Sequence, residues 1–149
     1  MDFFGASLKE KAGDMVLELL RCSLSDALYV ASQRLPWTDE LKVKMAQQIA
    51  DGMAYLHTTK PGITHGDLKS ANVMLDKRNT CKIIDLGLAA VKESSRMVSN
   101  DPRIKAGTGT LPYQAPELFD VKASRNHKID GWFLSFGAIL LVNLMGLSF

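Results

Sequence analysis

The chain has 149 residues, of which 46% are hydrophobic, with 18 basic and 16 acidic side chains and a formal charge of +2. That apolar content can bury one sizeable core and excludes a disordered chain, while charge spread without a basic cluster excludes the footprint of a nucleic-acid binder. Two cysteines, Cys22 and Cys81, form no CxxC pair and have no histidine at ligand spacing. A zinc site is thereby excluded, and reduced thiols in a cytoplasmic setting are expected.

In chain order, Met1 to Lys9 has neither a basic leader nor an apolar run long enough for an export signal. Asp14 to Leu20 is a short apolar run preceded by a polar turn at Lys9 to Gly13, which predicts a hairpin strand. Ser23-Leu24-Ser25-Asp26 offers caps for a short helix through Tyr29. Beyond Pro36, Thr38 can cap a longer helix whose apolar positions Leu41, Met45, Ile49, Met53 and Leu56 recur every three to four residues, ending near His57. Lys60-Pro61-Gly62 is a turn. Two short apolar runs, Val73-Met74-Leu75 and Cys81-Lys82-Ile83-Ile84, predict a second hairpin across the polar loop Asp76 to Thr80. From Leu86 to Gln114 the chain has no clear period and is expected to be one long loop. Trp132 to Phe149 is eighteen residues without a charge, the threshold for a membrane span.

Before and after the second pair of runs lies a set of groups suited to phosphoryl transfer. That reaction needs an acceptor for a hydroxyl proton, oxygen ligands for magnesium on the phosphates, and cations against developing charge. Asp67 is the candidate base, Lys69 a cation two residues on, Asn72 an oxygen ligand five residues on, and Asp85 a carboxylate after the hairpin. Hard magnesium prefers such carboxylate and amide oxygens to sulfur or imidazole.

The stretch His65-Gly66-Asp67-Leu68-Lys69-Ser70-Ala71-Asn72 resembles the protein-kinase catalytic loop H-R-D-L-x-x-x-N at every fixed position but one. Ile84-Asp85-Leu86-Gly87 is similar to the magnesium-binding D-F-G segment with Leu for Phe, and Gly109 to Glu117 to the segment ending in A-P-E. The H-G-D-L reading of the loop also resembles small-molecule phosphotransferases of the aminoglycoside and choline type; Lys69 and Ala115-Pro116-Glu117 favour the protein kinases. Lys69 and Gly109-Thr110-x-x-Tyr113 look like Ser/Thr specificity, while the Thr38 to His57 helix, Leu17-Glu18-Leu19 and Ser23-Leu24 are similar to the corresponding helix, hinge and helix start of the tyrosine-kinase-like group. The resemblance implies ATP and Mg2+ as cofactors and a protein substrate, with Asp67 and Lys69 catalytic and Asn72 and Asp85 on the metal. Thr110, hydrogen-bonded toward Asp67 and Lys69, would lie in the activation segment with Tyr113 and Glu117. Leu17 would be the gatekeeper, the backbone of Glu18, Leu19 and Leu20 would face adenine, and Met74 would pack beneath it.

The implied fold is α+β and kinase-like but truncated: residues 1–22 as a remnant of the small lobe and hinge, and 23–149 as part of a mainly helical large lobe with short hairpins. Three departures matter. Gly66 replaces the arginine that often pairs with an activation-loop phosphate, which weakens the case for Ser94, Ser95, Ser99 or Thr108 as switches. No G-x-G-x-x-G precedes Leu17, and no strand lysine with a helical glutamate partner can be placed. Asp130-Gly131-Trp132-Phe133-Leu134-Ser135-Phe136-Gly137 resembles the family's D-x-W-S-F-G with two extra residues before Ser135; in the family that Asp anchors the catalytic-loop backbone. The apolar tail is then expected to be the family's buried central helix, with Asn143 interrupting it, and not a membrane span. Weak or absent catalysis by these 149 residues alone is expected, with a pseudokinase-like binding module as the alternative.

Overall fold

The structure, a computed structural model, describes residues 3–9, 12–86, 89–93, 96–98, 110, 113, 115, 129 and 130. Its first element is an antiparallel hairpin of β1 (Phe3–Lys9) and β2 (Ala12–Leu17), in register from Lys9 opposite Ala12 to Phe3 opposite Leu17, with an irregularity between Phe3 and Gly5. The predicted strand therefore exists but is displaced. Its ladder runs through Ala12 and Gly13, whose small side chains give no strand signal, and stops at Leu17, leaving Glu18 to Leu20 as connecting chain.

β3 (Cys22–Ser23) leads directly into α1 (Leu24–Tyr29), and the side-chain caps expected there take the form of a capping box. The Ser23 hydroxyl accepts from the Asp26 N–H at 3.0 Å, and the Ser23 N–H donates to Asp26 Oδ2 at 3.2 Å, so two otherwise orphaned donors are satisfied. A single 3-10 turn at Ala31–Gln33 follows. The long helix α2 (Asp39–Thr58) begins at Thr38, whose Oγ1 accepts from the Leu41 N–H at 3.2 Å, and Asp39 and Glu40 complement the positive end of its dipole. Met45, Ile49 and Met53 form its buried stripe, at 0%, 4% and 1% exposure, against Leu24, Leu28, Leu68, Val73 and Leu75. Burying each such side chain contributes about 1.5–3 kcal/mol before entropy is counted.

After the turn at Lys60 to Gly62 come β4 (Ile63–Thr64), a 3-10 turn at Ser70–Asn72, and the hairpin of β5 (Val73–Leu75) and β6 (Cys81–Ile83). β5 is the centre of a three-stranded antiparallel sheet, flanked by β3 and β6. Two features seat this sheet on α2: Gln48 Oε1 accepts from the Cys81 N–H at 3.0 Å, and Gly52 leaves room where a Cβ would lie 2.8 Å from Ile83 Cδ1. Burial, then the Asp76 carboxylate, pushes the Cys81 thiol up to about 12, so near neutral pH it is a packing group and a poor nucleophile.

The expectation of one unbroken loop from Leu86 onward is corrected. β7 (Ala90–Glu93) and β8 (Arg96–Val98) pair with each other, and β7 also pairs with β4, giving a second three-stranded sheet. These strands are four and three residues long, and β7 takes a partner from a distant segment, so no local period announces them. Ser94, Ser95, Ser99, Thr108, Glu117 and the tail Trp132 to Phe149 lie outside the described residues. Among the described residues, no helix is long and apolar enough to cross a membrane.

Candidate active site

β4 delivers the chain into His65 and Gly66, where a buried carboxylate fixes the backbone. Asp130, 2% exposed, accepts from the His65 N–H through Oδ2 at 2.9 Å and from the Gly66 N–H through Oδ1 at 3.0 Å. Its Oδ2 also takes the Nε2–H of His57, at the end of α2, at 2.7 Å. Gly66 has φ 81°, a left-handed conformation that suits a residue without a Cβ. The two residues extra to the family pattern thus come after an aspartate that still holds the loop backbone.

His65 is fully buried, and both ring nitrogens are engaged. Nδ1 accepts from the Asp67 N–H at 3.3 Å, which leaves Nε2 to donate to the Ile84 carbonyl at 3.0 Å. The ring is a strut between the loop and the residue before Asp85.

Asp67 sits at the centre of a donor shell. Lys69 Nζ donates to its Oδ2 at 2.7 Å, while the backbone N–H and the hydroxyl of Thr110 donate to Oδ1 at 2.9 and 3.0 Å. Lys69 Nζ also reaches Thr110 Oγ1 at 2.7 Å, closing a three-residue ring. Asn72 Nδ2 donates to the Asp67 carbonyl at 2.8 Å. Burial works against the Asp67 charge, but the Lys69 ammonium and the two Thr110 donors outweigh it and hold the carboxyl below its ordinary value. The carboxylate is therefore ionised, and both of its oxygens are oriented by these donors. Tyr113 joins the same neighbourhood through a 3.3 Å hydroxyl contact with Ser70 Oγ.

Asn72 and Asp85 stand at the same end of the β5–β6 hairpin, since Val73 opposes Ile83 and the Ile84 N–H donates to the Asn72 carbonyl at 2.9 Å. Asn72 is buried at 6%, whereas Asp85 is exposed and has φ 62°. A non-glycine residue in that region is uncommon, and such backbone clusters at functional sites. With the Asn72 amide nitrogen committed to Asp67, its side-chain carbonyl oxygen and the Asp85 carboxylate are the hard donors at this end. They fit magnesium in kind.

Of the residues read as nucleotide-facing, Leu17 to Leu20 form one continuous segment leading toward β3, and Met74 lies on β5. Leu17 ends β2, Glu18 and Leu20 are half-buried, and Leu19 is 91% exposed. Arg21 N–H donates to the Leu75 carbonyl at 2.8 Å, and half-buried Met74 opposes Ser23. Both carboxylate oxygens of Glu18 accept from Lys82 Nζ, at 2.7 and 2.6 Å. Sequence motifs point to Asp130 as the anchor of the loop backbone, through the Asp130-Gly131-Trp132 pattern, but to neither Lys82 nor His57, which act through contacts 64 and 73 residues away in sequence.

A sequence profile described as "Protein kinase domain" matches residues 2–148. Serine/threonine-protein kinase CTR1 of Arabidopsis thaliana is 37% identical over 139 residues, which are 93% of this chain and 16% of that protein. Receptor-interacting serine/threonine-protein kinase 3 of Rattus norvegicus is 36% identical over 124 residues, 83% of this chain and 25% of that protein. Mitogen-activated protein kinase kinase kinase dlk-1 of Caenorhabditis elegans is 32% identical over 140 residues, 94% of this chain and 14% of that protein. The chain spans a quarter or less of the length of these relatives. A profile matched along almost the whole chain, over α+β architecture of small antiparallel sheets and helices, means that this chain belongs to the protein kinase family.

Proposed function

We propose that the chain is part of an ATP-dependent serine/threonine protein kinase, with residues 1–22 contributing small lobe and hinge and 23–149 part of the large lobe. The observation that carries this reading is the donor shell of Asp67. A carboxylate held by Lys69 and Thr110 is ionised and oriented to accept the proton of a substrate hydroxyl. Lys69, 2.7 Å from Asp67, is within reach of charge developing on a transferred phosphoryl group. Thr110 ties the substrate-facing segment to the base, so the acceptor platform and the base are positioned together. Asn72 and Asp85 would hold magnesium, which when bound with ATP neutralises phosphate charge. Leu17 to Leu20 and Met74 would receive the base of the nucleotide. Cys22 and Cys81 are free thiols, which fits a reducing, cytoplasmic setting.

These 149 residues contain no G-x-G-x-x-G ahead of Leu17, which favours weak transfer by this stretch taken alone and keeps a nucleotide-binding, pseudokinase-like module as the second reading. One experiment tests the site and another separates the readings. Adding ATP with magnesium is expected to raise the melting temperature, and Asp85→Asn to abolish that rise. No shift in the unmodified chain would overturn the nucleotide site. Robust Asp67-dependent transfer from ATP to a generic protein substrate would exclude the binding-module reading and the expectation of weak activity.

A further inference from the structure

The Glu18–Lys82 pair has no part in the chemistry above, yet it joins the segment read as adenine-facing to the strand beside that segment's floor. Lys82 lies on β6 directly opposite Met74 in the sheet register, and its ammonium is gripped by both oxygens of Glu18 at 2.7 and 2.6 Å. The Glu18 and Lys82 side chains are 23% and 21% exposed, shielded enough for the pair to exceed the small worth of a fully solvated one. The segment is tied again at its far end. Arg21 donates its N–H to the Leu75 carbonyl at 2.8 Å, and its guanidinium reaches Asn79 Oδ1 at 2.7 Å, at the turn of the same hairpin. Between these ties are Leu19, 91% exposed, and half-buried Leu20.

We propose that the Glu18–Lys82 ion pair is a positioning clamp for the nucleotide base, fixing the backbone of residues 18–20 at a set distance from Met74 and thereby setting base selectivity. This rests on the reading of that segment as adenine-facing. A backbone that reads a base by main-chain donors and acceptors discriminates only while its register over the pocket floor is held. Loosening one end lets either purine fit comparably, so selectivity suffers more than general affinity.

The test is displacement of a fluorescent nucleotide from the 149-residue chain by ATP and by GTP, each with magnesium, with far-UV circular dichroism as the folding control. Lys82→Met and Glu18→Gln are each expected to weaken ATP binding about tenfold and GTP binding about twofold, so that the ATP-to-GTP preference falls about fivefold. Lys82→Arg and the exchange Glu18→Lys with Lys82→Glu should each restore the preference to within about threefold of the unmodified chain. Equal losses for both nucleotides, or a preference unchanged in both single variants, would overturn the clamp. An unmodified chain that binds neither nucleotide overturns the site reading and the clamp together, whereas one that binds ATP while the variants keep its preference overturns the clamp alone.

Discussion

The loop from His65 to Asn72 and the chain from β1 through Leu20 hold their shapes by different means. In the loop, the backbone N–H groups of His65 and Gly66, the His65 ring, the Asp67 carboxylate and the Asn72 amide all meet partners, and Asp130, Ile84 and Thr110 come from distant parts of the chain. The first hairpin pairs only with itself among the described residues, as a two-stranded sheet, and such a hairpin is marginal in water by itself. The geometry around Asp67 is thus over-determined, while the segment proposed to face the nucleotide is tied by Glu18–Lys82 and by Arg21. Damage to one contact should therefore be costly but local at the Leu17 to Leu20 segment, and more far-reaching at the loop.

The largest effect is expected from Asp130→Ala, which leaves two backbone N–H groups and His57 without their buried acceptor. A loss of about 3–5 kcal/mol, measured by urea denaturation, would result from breaking such a buried charged network. A loss below about 1 kcal/mol would mean that the loop is held otherwise. Next, Asp67→Asn should reduce phosphoryl transfer at least about 100-fold while the chain still unfolds cooperatively. If transfer persists, the base lies elsewhere.

The same carboxylate gives a pH signature. Asp67 binds a proton less readily folded than unfolded, so its contacts contribute stability that is complete above the ordinary carboxylate value of 3.8 and is lost as pH falls through the lower folded value. The stability difference between the unmodified chain and Asp67→Asn should accordingly be constant near neutrality and shrink on acidification below 3.8. A difference that grows in acid would contradict the donor shell. At the small end, Thr38→Ala should cost about 1 kcal/mol through loss of the α2 cap, and leave nucleotide binding unchanged.

How far the sequence alone reaches depends on the distance over which each signal acts. Ser23 and Thr38 mark α1 and α2 because a cap and its helix are neighbours, and Met45, Ile49 and Met53 reveal the buried face by period alone. The β5–β6 hairpin is legible because both strands flank one short polar turn. β4, β7 and β8 are not, since β4 has only two residues and pairs with a strand far away in sequence, and Lys92, Glu93 and Arg96 break the apolar runs that mark β5 and β6. The site divides the same way. Asp67, Lys69, Asn72, Asp85 and Thr110 stand in recognisable local patterns, whereas the meeting of His57 with Asp130 and of Glu18 with Lys82 exists only after folding.

That long reach of Asp130 has a consequence for the order in which the protein is made. Its carboxylate bonds residues 64, 65 and 73 positions earlier in the chain, and closing so large a loop is slow relative to forming α1 or the β5–β6 hairpin. A growing chain emerging from the ribosome carries the entire His65 to Asn72 stretch long before the residue that shapes it. Until residue 130 has been added and buried, Asp67 and its neighbours are present in composition but not in geometry, so this loop takes its shape only well after it has been synthesised.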